Sequence, residues 1–197
     1  MRRTPRGEAG QTFGIYIVAM AALFFLAFAY FAVGQAAVIR NRTQTAADAA
    51  ALAAARELRD GAHDAFLADL LSGDTAALGQ LLTNLPLEEN ACAAAQEYAG
   101  DNGADVTPGG CTPVNDPPGF HVEVRSRGTV GPSVVKGTEN IHASAHATAV
   151  VVPRCTLAPA IKPVVDFTCD NGPLEIDPTQ TGFVLDLSDF FTVHLSD

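Results

Sequence analysis

The sequence predicts an α+β fold set behind a long N-terminal transmembrane helix. Three observations carry this reading. An apolar run without charge extends over 22 residues from Phe13 to Gly34. An alanine-rich stretch free of proline and glycine follows it, and beyond residue 119 the hydrophobic period changes from helical to two. The chain of 197 residues leaves room for one modest folded domain once the membrane segment is subtracted.

The apolar run comes first. At 1.5 Å rise per residue it spans roughly 33 Å, about the hydrocarbon thickness of a bilayer. Phe13, Phe24, Phe25, Phe28 and Phe31 stand among Ala, Leu and Val on every face, as suits a helix solvated by lipid. Tyr16 and Tyr30 sit near the two ends, where amphipathic rings prefer the interface. Two other readings fare worse. Ala27-Phe28-Ala29 offers a small-x-small cleavage site, but the run is too long for a signal peptide and continues past it. A buried core helix is disfavoured because so small a chain can hardly hide such a segment.

Orientation rests on Arg2, Arg3 and Arg6, opposed by Glu8, with Arg40 and Arg42 at the far end. The distal part breaks this near-tie. Residues 1–60 hold seven arginines and four acidic groups, a net +3, whereas residues 61–197 hold five basic and eighteen acidic groups, a net −13. All four cysteines (Cys92, Cys111, Cys155 and Cys169) also lie there, as expected of an exported, oxidised domain. The expected layout is a cytoplasmic N-terminus over 1–12, a transmembrane helix over 13–39, a helical extension over 40–60 and an external α+β domain over 61–197. An acidic domain is repelled by phosphates, so nucleic acid is excluded as a partner and membrane lipid is the partner of the helix alone.

Residues 43–60 continue the helix, since alanine is the strongest helix former and the next glycine is Gly61. One helix from about 13 to 60 is expected, near 70 Å long. Alanines recur at four-residue spacing as Ala46, Ala50, Ala54 and Ala47, Ala51, Ala55. Such a stripe admits a close neighbour, either the chain's own outer domain or a partner helix. Beyond Gly61, Phe66, Leu67, Leu70 and Leu71 share a helix face, Asp74 caps a second helix over 74–83, and a third covers 87–99. The Pro- and Gly-rich stretch Thr107–Gly119 reads as a loop. Phe120, Val122 and Val124 alternate with polar residues, as do Ile141 to Val151, giving two antiparallel strands across the 128–138 loop. Phe183–Leu187 and Phe190–Leu195 add one or two more. Of the three possible cysteine pairings, neighbours in sequence close the shortest loops.

Chemical motifs are scarce. His142 and His146 share a strand face but lie roughly 13 Å apart along it, too far for one ion without further ligands. Asp166, Asp170, Glu175 and Asp177 fit no EF-hand spacing, and Pro173 and Pro178 interrupt them. No phosphate loop, nucleophile elbow or zinc-protease motif occurs. No metal, cofactor, small-molecule substrate or catalysis is expected.

The order of features does resemble a known family. A basic N-terminus and Gly10-Gln11 precede the span, and Arg40, Gln44, Thr45, Ala46, Ala47, Asp48, Ala49, Ala50, Ala51 and Leu52 to Ala55 follow it. Over residues 7–57 this is similar to the TadE/TadG-like proteins of the Flp (tight adherence) pilus assembly system. The resemblance implies a pilin-like outline and a part in building or anchoring a surface pilus, with other pilus-assembly membrane proteins or pseudopilins as partners. Processed members of that system carry a glutamate five residues beyond a cleavage-site glycine. Here that position holds Ile15 counted from Gly10, or Thr12 counted from Gly7, which points to the unprocessed, TadG-like branch. The alternative is a membrane-anchored extracellular binding module unrelated to pili.

Overall fold

A computed structural model describes residues 11–86, 88–129, 131, 137, 140–158 and 164–196. Its dominant element is one unbroken helix, α1, Gln11–Gly61, of 51 residues. By the rise of an α-helix it is about 77 Å long. The helix has two environments. From Phe13 to Phe28 every residue is exposed, whereas Thr43, Ala46, Ala47, Ala50, Ala51, Ala53, Ala54, Ala55 and Leu58 are buried. Its upper third is therefore the central rod of the outer domain.

Three short helices follow. α2, His63–Ser72, ends on Gly73, whose left-handed φ of 65° lets the chain turn back. α3, Thr75–Thr83, starts at Asp74, whose carboxylate accepts from the backbone N–H groups of Ala76 and Ala77. α4, Ala91–Asp101, begins later than the spacing suggests, because Glu89-Asn90 form a turn ahead of it. Ala91, Ala95 and Ala99 make one buried face of α4, and α4 lies against α1. Alanine on both helices removes the side-chain spacer, so the backbones approach closely.

The main sheet has the order β1-β2-β3-β7, with β1 Ala104–Asn115, β2 Pro118–Thr129, β3 His142–Pro153 and β7 Phe191–Ser196. All its pairings are antiparallel. β2 and β3 pair as the alternation predicts, with Phe120, Val122, Val124, Ala147, Ala149 and Val151 buried in one core with the α1 alanines. A side chain at position 119 would collide with the Ala149 carbonyl, so Gly119 is required by the approach of β3.

Two expectations are corrected here. Thr107–Gly119 is not a loop: most of it is β1, paired to β2 with a shift in register between Val106 and Cys111. Pro108 and Pro113 are tolerated because β1 is an edge strand, whose outward N–H groups need no ladder partner. Phe183–Leu187 is not a strand but irregular chain leading into a 3-10 turn at Leu187–Asp189. The alternation foretells its burial, with Leu185 and Leu187 inside and Val184 outside, but the segment joins neither sheet.

A second sheet, which alternation in the sequence did not announce, has the order β4-β5-β6. Its strands are Cys155–Leu157, Val165–Cys169 and Gly172–Ile176. Phe66 of α2 bridges the two sheets. Its ring centre lies 6.4 Å from that of Phe167 on β5, 4.8 Å from Phe190 and 6.3 Å from Phe191 on β7. Disulfides join Cys92 to Cys111, tying α4 to β1, and Cys155 to Cys169, which face each other across β4 and β5. At the surface Arg127 donates to Asp105 at 2.6 Å and holds that carboxyl below the usual carboxylate range, chiefly through this hydrogen bond.

The buried alanine layer makes a specific prediction. Ala54→Leu is expected to destabilise the domain by about 1–3 kcal/mol, because the close-packed rod has no space for a branched side chain. Arg56→Ala, on the exposed side of the same turn, is expected to stay within about 0.5 kcal/mol of the parent. Thermal unfolding of the two variants, followed by near-ultraviolet circular dichroism, measures the difference.

Candidate functional site

Two regions could act on something outside the domain. The first is the bare part of α1. Its most apolar stretch has a mean hydropathy of 2.4 and none of it is buried. Phe13, Tyr16, Phe24, Phe25, Phe28, Tyr30 and Phe31 all point outward from the helix, with Tyr30 83% exposed. Aromatic rings so exposed are stable only in a non-aqueous environment or against another protein surface. A single membrane-crossing anchor satisfies this requirement.

The alanine motif has a different placement. Ala46, Ala47, Ala50, Ala51, Ala54 and Ala55 are fully buried, and Leu52 packs partly against the same core. They are covered by β2, β3, β7 and α4 of the same chain. The polar members of the motif lie at the rim. Thr45 donates its hydroxyl to the Asn41 carbonyl. Gln44 Nε2 donates to Asp48 Oδ1 at 2.8 Å and to the His146 carbonyl at 3.1 Å.

That last bond matters for the sheet. β7 pairs with β3 only from Thr148 to Pro153, so among the described residues the half of β3 from His142 to Ala147 has one edge open. Gln44 caps a carbonyl on that edge, which would otherwise lack a ladder partner. Where β7 ends a cleft of about 460 Å³ opens, lined by Gln44, Asp48, His121, His146, Thr148 and Ser196. This is the second region.

The structure separates the two histidines that share a strand face in the sequence. His142 Nδ1 is 2.7 Å from the Ser126 carbonyl, so it donates there and does not converge on His146. His146 instead lies beside His121 of β2, with ring centres 5.5 Å apart. Sequence reasoning missed this pair because it depends on the β2–β3 register. The alternation alone places both residues on the polar face, and only the pairing of His146 with Glu123 makes His121 its diagonal neighbour. The distal acids do not converge either. Asp170 pairs with Arg154 and Asp177 accepts from Thr179, each carboxyl being lowered by those hydrogen bonds. Among the described residues no three His, Cys, Asp or Glu side chains are grouped to hold a metal.

Comparison with known families finds a match. A family model described as putative Flp pilus-assembly TadE/G-like covers residues 10–57. The match therefore spans the anchor and the alanine rod, and stops short of the sheets. Neither the curated proteins nor the solved structures contain a match to this chain.

Proposed function

We propose that this chain is a non-enzymatic, single-pass membrane component of Flp-type pilus assembly, and that it meets its partners through the bare part of α1. The observation that carries this reading is the split environment of one continuous helix: its apolar part is uncovered, while its alanine stripe is used up inside the domain. Partner packing therefore falls to residues 13–42, where other membrane helices of the assembly, or pseudopilins, can lie alongside within lipid. The family match over residues 10–57 supports the assembly context. Arg2, Arg3 and Arg6 support a cytoplasmic N-terminus, with the acidic, disulfide-bonded domain outside. In this layout residues 1–12 are cytoplasmic, 13–39 cross the membrane, and 40–60 are structurally part of the external domain over 61–197. That domain is held rigidly on the anchor, because the rod that leaves the membrane is also its core.

Photocrosslinking in native membranes tests this. A photoreactive residue at Val18, Phe25 or Val33 is expected to yield protein adducts, and the same residue at Arg56 to yield none. Adducts limited to lipid at all three membrane positions would remove partner recognition by this helix. Identification of the adducts as pilus-assembly proteins, or as unrelated membrane proteins, decides the pilus assignment separately.

A further inference from the structure

The cleft beside Gln44 contains two imidazoles for which the pilus reading has no use. His121 on β2 and His146 on β3 alternate with the buried residues of their strands and line the same cleft as Gln44 and Asp48 of α1, on diagonal positions of the register. Their ring centres are 5.5 Å apart and their planes are inclined by 40°. From this arrangement we infer that His121 and His146 together chelate one transition-metal dication of the imidazole-preferring class, such as Zn²⁺ or Cu²⁺.

The spacing fits. A tetrahedral centre with metal–nitrogen bonds of about 2.0–2.1 Å holds two imidazole ring centres roughly 5 Å apart, close to the 5.5 Å between these two rings. The strands supply rigidity, because both residues are inside paired segments of β2 and β3. One ring is also oriented in advance. His121 Nδ1 lies 2.9 Å from Thr148 Oγ1, and when Nδ1 donates to that hydroxyl the lone pair resides on Nε2. This is the arrangement by which an outer hydrogen bond sets the tautomer and aim of a metal-binding histidine. His146 has an exposed ring with no hydrogen-bond partner for its nitrogens among the described residues.

The chemistry selects the ion. Two neutral imidazoles favour Zn²⁺, Cu²⁺ and Ni²⁺, whereas Ca²⁺ and Mg²⁺ require oxygen-rich sites. With no third strong ligand grouped beside them, the remaining positions are taken by water in the open cleft. Asp48, on the cleft wall, and the strongly acidic domain lower the electrostatic cost of bringing a dication there. A two-imidazole site of this kind is exchangeable rather than structural. The inference stands whether or not the chain works in a pilus.

The test is a titration of the full chain, untagged and in detergent micelles, with ZnCl₂, observing the histidine side-chain nitrogen resonances. Saturable binding of one equivalent is expected, with shifts confined to His121 and His146. His121→Gln and His146→Gln should each weaken binding by at least about tenfold, and Thr148→Val by a smaller factor. His142→Gln and His194→Gln should bind as the parent does, and MgCl₂ should leave the resonances unmoved. Because His146 is exposed, its replacement should leave the far-ultraviolet spectrum unchanged, so a loss of binding reports the ligand. No saturable Zn²⁺ binding, or binding that survives both His121→Gln and His146→Gln, overturns the inference.

Discussion

Replacing Phe66 by alanine is expected to destabilise the outer domain by about 3–5 kcal/mol, as large aromatic truncations in a closed core do. Phe66 is fully buried and its ring meets those of Phe167, Phe190 and Phe191, which come from two separate stretches of chain. The cavity left behind would open at the junction of α2 with both sheets. A fall in melting temperature of roughly 10 °C is the corresponding reading for a domain of this size. Phe66→Leu, which keeps much of the volume, should lose clearly less. Equal losses for the two variants would mean that the aromatic cluster, as opposed to simple burial, decides the stability.

The second large effect concerns the disulfide between Cys155 and Cys169. The double replacement of both cysteines by alanine should cost about 3 kcal/mol, the value expected for releasing a loop of this length in the unfolded chain. The damage should be local. β4 has only three residues, and the bridge closes the first pair of its register with β5. Hydrogen exchange should therefore show β4, β5 and β6 losing protection while β2 and β3 retain theirs. Uniform loss across both sheets would instead mean that the two sheets unfold as one unit.

How far the sequence could be read depended on whether the signal was local. The apolar half of α1 was legible because Phe13 to Gly34 is a single uncharged run of the length a membrane span requires. The continuous helix was legible because its alanines need no tertiary help to be helical. β2 and β3 were legible because each carries six or more residues of clean alternation. The strand β1 was hidden, since Pro108, Gly109, Gly110 and Pro113 carry turn chemistry that only an edge position neutralises. The second sheet was hidden too, because strands of three to five residues are too short to show a period. Phe183–Leu187 shows the reverse case: a correct burial pattern without a partner strand.

The same distinction applies to the candidate site. By itself the sequence determined that one helix is long and apolar enough to cross a membrane and continues into an alanine rod, because apolar length and helix propensity are properties of contiguous residues. Only the tertiary structure decided what that rod touches. Burial depends on which faces the sheet and α4 happen to cover, and they cover the alanine stripe completely. The register of β2 against β3 likewise set His121 beside His146, a neighbourhood between residues 25 positions apart that no local pattern encodes.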